Sequence, residues 1–173
     1  MGLEYEPNHQ IMDVLTYEQP TKYLVSDTEY SDDFSLTPVL TANKAFILGY
    51  TNETTGIYSK GNCIILDDFT LDCKIVDFPF KVKSSAIKIL TAKDSNNLRY
   101  LYEYLKYLDL DTTEHKRHYI AEVEPLEIII PSKNDVEEIA NIFEAIDKRI
   151  DIAEQLLIQY QLQKQYLLQQ MFI

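Results

Sequence analysis

Residue types that bind phosphate and nucleobases are concentrated in two short segments of the chain. In the first, Lys81 and Lys83 alternate along a predicted strand and precede Ser84 and Ser85. Alternation would place both ammonium groups on one face of the strand, beside two hydroxyls that can donate to phosphate. The segment is a candidate DNA contact, and the alternative is an ordinary solvated strand face.

The second segment runs from His115 to Tyr119, in a predicted loop, and contains Lys116 and Arg117. An arginine can bind guanine through two parallel hydrogen bonds, and a lysine ammonium can neutralise a phosphate. Lys116 and Arg117 therefore join Lys81, Lys83, Ser84 and Ser85 as the principal candidates for DNA contact.

Two groups of acids suggest metal-binding alternatives. Asp67 and Asp68 follow an apolar strand, where paired carboxylates can hold a divalent cation, and a capped strand end with solvated acids has the same composition. Asp111 with Glu114 and Lys116 is similar to the acid and Glu-x-Lys pattern of metal-dependent nucleases. The spacing argues against a nuclease, because the first acid of such enzymes normally lies on a different strand.

The sequence indicates no catalytic centre. Its four glycines are too scattered for a phosphate-binding loop, and no nucleophile stands in a recognisable elbow with the three histidines. Cys63 and Cys73 have no further cysteines or a zinc-binding pattern near them, so we expect both to pack as reduced thiols. We expect no metal or cofactor in this chain.

The charge is distributed unevenly along the chain. The net charge of −12 divides into −7 for residues 1–43, +1 for residues 44–119 and −6 for residues 120–173. Only the middle segment can form a basic face, and the acidic flanks suit contact with protein. Neither a signal peptide nor an apolar run long enough to cross a bilayer is present, which predicts a cytoplasmic location without membrane contact.

The elements that position these residues are predicted to form a β-rich domain of the α+β class over residues 1–132. Leucines and a tyrosine spaced three and four apart predict one packed helix over residues 96–108, with Ser95 as its cap. Short apolar runs between turn residues predict strands near residues 22–25, 39–40, 45–48, 63–66, 73–76, 80–82, 86–90, 119–120 and 126–130.

A heptad pattern predicts that residues 133–173 form one long helix. About 37 residues from Val136 to Phe172 would give a helix roughly 55 Å long. Because a 3.5-residue period keeps one apolar stripe facing another helix, we expect a coiled coil. This heptad seam, interrupted only by Lys164, consists of Ile139, Phe143, Ile146, Ile150, Ala153, Leu157, Tyr160, Leu167 and Met171.

An ordered series of motifs resembles the specificity subunit of Type I restriction-modification systems. The resemblance extends from about Leu15 to the end of the chain and includes the strand before the long helix. The motifs are YEQPTKY at 17–23, PVLTA at 38–42, ILGYT at 47–51, DDFT at 67–70, VDFPFKVKSSA at 76–86 and HKRHYI at 115–120.

The resemblance implies a non-catalytic chain in which residues 1–132 recognise half of a bipartite double-stranded DNA site and residues 133–173 form a spacer helix. The implied partners are a methyltransferase subunit, which uses S-adenosylmethionine to methylate adenine, and a separate restriction subunit that cleaves DNA. Thr51, Tyr58, Lys60 and Thr70 are secondary candidates for DNA contact on this basis.

The chain departs from the usual family pattern of two recognition domains and two long helices, because it has one of each. The heptad seam then requires a partner helix from a second copy or from a separate half, and we expect a homodimer on a palindromic site. A recombination cassette and a fragment of a longer protein remain open alternatives. So does a coiled-coil decoy that docks on the methyltransferase subunit without DNA specificity.

Overall fold

The computed structural model describes residues 6–42, 45–94, 97–110 and 116–172. The chain divides into two compact units, Met1–Ser132 and Lys133–Ile173. The first unit contains several small sheets with short helices, and the second is a long helix, so the predicted α+β class is confirmed.

Short strands dominate the first unit. Its helical segments are α1 (Ile11–Val14), a 3₁₀-helix (Pro20–Tyr23), α2 (Leu98–Tyr107) and a π-helix (Tyr119–Val123). Its strands are β1 (His9–Gln10), β2 (Leu15–Glu18), β3 (Thr37–Leu40), β4 (Ile47–Thr51), β5 (Cys63–Asp67), β6 (Cys73–Val76), β7 (Lys81–Val82), β8 (Ile87–Ala92) and β9 (Glu127–Ile128).

The strands pair into three sheets. An antiparallel sheet has the order β2-β8-β5-β6, and the pairs of its central strands include Ile65 opposite Ile89. A second sheet has the order β4-β3-β7, in which β3 is antiparallel to β4 and parallel to β7. Strands β1 and β9 form a separate antiparallel pair.

Strand β5 is buried along its whole length because both of its faces are covered. Cys63 and Ile65 enter the main apolar core on one face, where they pack with Tyr58, Phe80 and other apolar residues. Side chains alternate along a strand, so Ile64 and Leu66 point to the opposite face, on which α2 packs. The end of β5 is therefore held rigidly inside the domain.

Two segments that were predicted to be strands form helical structure instead. The segment expected to be a strand at 22–25 begins as a 3₁₀-helix, because Pro20 at its first position fixes a helical φ angle. The segment expected to be extended at 119–120 starts the π-helix instead. The predicted helix over 96–108 is confirmed as α2, whereas its proposed cap Ser95 lies outside the described residues.

The second unit is helix α3 (Lys133–Met171), whose 39 residues make it roughly 58 Å long. The heptad seam lies on one side of this helix, and Phe143, Ile146, Ile150, Leu157 and Met171 are all exposed. None of the helices in the described part of the chain combines the length and apolar character needed to cross a membrane.

The two cysteines provide a test of the packing of the first unit. Burial raises the pKa of the Cys63 thiol to about 12 and that of the Cys73 thiol to about 11. Because the thiolate is the reactive form, we expect both to react slowly with a thiol reagent at pH 8 in the native protein and rapidly in guanidinium. Rapid labelling of Cys63 in the folded protein would contradict this packing.

Candidate nucleic-acid interface

The two basic segments meet at Asp68, the residue that follows β5. The backbone N–H of Asp68 donates to the carbonyl of Ala86 at 2.9 Å, at the end of the turn that contains Ser84 and Ser85. The carbonyl of Asp68 accepts the N–H of His118 at 2.9 Å, next to Arg117. Residues that are distant in sequence are therefore joined at one end of the sheet.

A neighbouring turn brings Thr70 to the same end of β5. The Oδ1 atom of Asp67 accepts the backbone N–H groups of Phe69 and Thr70 at 2.9 and 3.1 Å, which closes the turn. Phe69 and Thr70 are exposed. We use the name β5 end surface for the exposed parts of Thr70, Lys83, Ser85, Lys116 and Arg117, together with the half-buried Ser84.

A buried ion pair anchors this surface. The Asp68 and Lys88 side chains are 2% and 1% exposed, and Oδ2 of Asp68 lies 3.3 Å from Nζ of Lys88. The same oxygen lies 4.0 Å from Nε of Arg117, whose side chain is 54% exposed. The other oxygen, Oδ1, accepts the N–H of Tyr119 at 2.8 Å. Lys88 offsets the carboxylate charge, so Arg117 adds a net positive charge at the surface.

Lys116 contributes less positive charge than its exposure suggests. Its ammonium lies 3.1 Å from Oε1 of Glu122 in the π-helix, and Oε2 of Glu122 lies 2.7 Å from Nδ1 of His118. The hydrogen bonds with His118 and Lys116 lower the pKa of Glu122. Glu122 therefore stays ionised and offsets part of the Lys116 charge.

The prediction that Lys81 and Lys83 share one exposed face is wrong. Lys83 is exposed, but Lys81 is 2% exposed, and its ammonium contacts Oε2 of Glu53 at 2.9 Å and the carbonyl of Thr55 at 2.7 Å. The reason is that both faces of β7 are covered, with Val82 in the apolar core and the loop after β4 over Lys81. Lys81 is therefore a structural residue.

The structure also corrects two of the secondary candidates. The Tyr58 ring is buried against Tyr23 and Phe80, at centroid distances of 5.3 and 4.9 Å, and burial raises the pKa of its hydroxyl. Thr51 is buried as well, and its hydroxyl accepts the N–H of Glu53 at 3.3 Å. Neither side chain is accessible to DNA in this structure.

Lys60 is exposed, but its charge is already offset. Its ammonium lies 2.7 Å from Oε2 of Glu18 and 5.8 Å from the centroid of the Tyr23 ring. The hydrogen bond with Glu18 raises the pKa of Lys60. A phosphate would have to compete with this carboxylate, and Lys60 is a weaker candidate for DNA contact than Lys83.

The acids at the end of β5 have structural partners. Asp67 closes a turn and Asp68 pairs with Lys88, and the described residues contain no group of three or more potential metal ligands. The nuclease-like series cannot be compared, because Asp111, Glu114 and His115 lie outside the described residues.

The role of Lys88 was not predicted from the sequence. This lysine lies between Ile87 and Ile89 in the otherwise apolar run from Ala86 to Leu90, and lysines are almost never fully buried without a partner. A charge in such a run indicates a buried acid on a neighbouring element, and Asp68 follows the adjacent strand β5. That combination could have identified the pair.

Two lysines of the same segment should respond differently to truncation. Lys81→Ala would leave Glu53 and the Thr55 carbonyl without their cation, and we expect a loss of about 2–4 kcal/mol in the free energy of unfolding. Lys83→Ala, the matched control, should change it by less than about 0.5 kcal/mol. Urea unfolding of both variants measures this, and equal losses would contradict the assigned positions.

Comparisons with known proteins agree on one family. The family described as "Type I restriction modification DNA specificity domain" matches residues 7–161. A curated relative, the EcoR124I/EcoR124II specificity subunit of Escherichia coli, is 49% identical over 132 residues. The match covers 73% of this chain and 32% of the relative, so the chain spans about a third of that protein.

Two solved structures share the fold at low sequence identity. One, titled for complex assembly and conformational transition of the type I R-M system, has a TM-score of 0.58 and 11% identity, covering 91% of this chain and 42% of that one. The HsdS subunit from Thermoanaerobacter tengcongensis has a TM-score of 0.52 and 13% identity, with 86% and 39% covered. The match over most of the chain and the close curated relative establish that this protein belongs to the Type I restriction-modification DNA specificity domain family.

Proposed function

We propose that this chain recognises a specific double-stranded DNA sequence as the specificity component of a Type I restriction-modification complex. The observation that carries the proposal is the convergence on Asp68 of the two basic segments, in a chain of a DNA specificity family. Lys83, Ser85 and Arg117 are exposed on the two segments that meet here, and Thr70 lies on the adjoining turn.

The residues of the β5 end surface suit different parts of DNA. Lys83 carries an exposed, compact positive charge, which suits a phosphate. Ser84 and Ser85 can donate to phosphate oxygens once the backbone of DNA is near. Arg117 carries a planar set of donors that matches guanine in the major groove, so we assign base recognition to it.

The proposed catalytic work belongs to partner subunits. We propose that a methyltransferase subunit supplies S-adenosylmethionine and methylates adenine, and that a restriction subunit cleaves unmodified DNA. This chain would direct both to their site and would have no catalytic activity of its own. The proposal rests on the family of the chain and on its 49% identity to a specificity subunit.

We further propose that two copies pair through α3. The heptad seam presents large exposed apolar side chains, including Ile150, Leu157 and Met171, and burying them against a second helix would be favourable. A helix of roughly 58 Å exceeds the 34–36 Å that separates successive turns of DNA. Two-fold symmetry would make the bound site palindromic and bipartite.

A decoy that occupies the methyltransferase subunit without binding DNA is the second candidate. It is favoured by the net charge of −12, with a net charge of −6 over residues 120–173. A decoy predicts that the purified chain selects no sequence from a random DNA pool and that its overexpression suppresses restriction.

Two substitutions should separate phosphate contact from base recognition. Lys83→Ala should weaken binding to all DNA sequences by the same factor. It should also reduce the slope of log affinity against log salt concentration by about one, because one phosphate contact is lost. Arg117→Ala should reduce the preference for the correct base at one position of the site by about 1–3 kcal/mol. Selection from a random pool and salt titration measure these effects. Lys22→Ala, in the acidic first segment, is the control, and an unchanged preference in Arg117→Ala would refute its assignment.

The proposed dimer should depend on the heptad seam. Leu157→Asp would bury a carboxylate in the helix pair, and we expect the dimer dissociation constant to rise by about 30-fold or more. Gln155→Asp, on the opposite side of the helix, should leave the dimer intact. Sedimentation of both variants decides this, and a monomeric wild-type protein at micromolar concentration would overturn the dimer.

A further inference from the structure

We propose that Asp68 is a positioning residue that fixes the guanidinium of Arg117 for the recognition of one base pair. This inference rests on the proposed DNA function and adds the residue that sets the geometry of the contact. An almost fully buried carboxylate faces the Nε atom of a half-exposed arginine at 4.0 Å.

Asp68 contacts the Nε atom of Arg117, and this atom is not needed for the two hydrogen bonds between an arginine and a guanine. Arginine has five N–H donors in a planar fork, and the terminal amino groups can form two parallel hydrogen bonds with guanine. Asp68 faces Nε, and this leaves terminal donors of Arg117 for a ligand. A long side chain held at Nε loses less rotational freedom when it binds, which favours discrimination.

The carboxylate that holds Arg117 is itself fixed from several directions. Oδ1 accepts the N–H of Tyr119 at 2.8 Å, and Oδ2 lies 3.3 Å from Nζ of Lys88. The backbone of Asp68 is bonded on both sides, to Ala86 and to His118. The Asp68 side chain is therefore held in one orientation. Arg117, which faces this carboxylate, is positioned relative to the rigid end of β5.

Lys88 keeps this arrangement compatible with binding an anion. If Asp68 faced Arg117 alone, the two charges would cancel and Arg117 would add no net positive charge to the surface. Lys88 offsets Asp68 from within the domain, where its ammonium also lies 5.2 Å from the centroid of the Tyr17 ring. The group of three charges is left with a net charge of +1, and the exposed member is Arg117.

The restraint can be measured without DNA in Leu157→Asp, in which α3 is expected to stay unpaired. Order parameters of the arginine Nε–H groups by NMR should be higher for Arg117 than for Arg149, which lies on an exposed part of α3 and serves as the internal control. Equal order at the two positions would overturn the inference, whatever the protein does with DNA.

The functional consequence is tested by Asp68→Asn. Its Oδ1 can still accept from Tyr119, whereas its amide would face Arg117 and Lys88 without a negative charge. We expect Arg117→Ala to lower discrimination at one base pair by about 10-fold or more, and Asp68→Asn by about 3- to 10-fold at the same base pair. The slope of affinity against salt should stay unchanged in Asp68→Asn, because no phosphate contact is lost.

A structural role alone would give a different result. Asp68→Asn would then weaken binding to all DNA sequences by the same factor and leave the base preference at every position unchanged. That outcome overturns the inference. If Asp68→Asn fails to fold, the double variant with Lys88→Met removes the orphaned ammonium and is tested in the same way. Arg117→Lys should lose the same discrimination as Arg117→Ala, and full retention by the lysine would also contradict the inference.

The experiments distinguish failure of the proposed function from failure of the positioning role. If the wild-type chain selects no sequence from the random pool, the proposed function fails, and the NMR comparison still decides whether Asp68 holds Arg117. If the wild-type chain selects a sequence and Asp68→Asn keeps the full preference, only the positioning role fails.

Discussion

The buried ion pair between Asp68 and Lys88 is the constraint on which the candidate interface depends. Its two side chains lie 3.3 Å apart in the interior, and loss of one partner from such a pair costs about 3–5 kcal/mol. Through its backbone and its carboxylate, Asp68 also fixes the turn at Ala86 and the segment from Arg117 to Tyr119. One residue therefore connects the stability of the sheet with the placement of surface groups.

The sequence predicted the elements whose patterns are local. The 3.5-residue period of α3 and the spacing of α2 depend on neighbours within each helix, and both helices form as expected. Strand alternation predicted one exposed face for Lys81 and Lys83, and Lys83 is exposed whereas Lys81 is buried, because alternation gives the side of a strand and not what covers that side. Tyr58, a candidate from the family resemblance, is buried, because a tyrosine suits a core as well as a surface.

The contacts around Asp68 could not be predicted from spacing, because they join residues about 18 to 51 positions apart. The sequence suggested a metal site or a capped strand end at Asp67 and Asp68. The structure assigns them to a turn and an ion pair, and the lysine that completes the pair lies within an apolar strand. Only a lysine out of place in β8 hinted at this arrangement.

Under the proposed function, this chain directs an adenine methyltransferase to a specific DNA site. The decisive experiment is co-expression with the methyltransferase subunit encoded nearest to it, followed by long-read mapping of methylated adenines across the host genome. We expect a palindromic motif of two half-sites separated by a non-specific gap. Co-purification of the two proteins without any sequence-specific methylation would refute the proposed function and would favour the decoy.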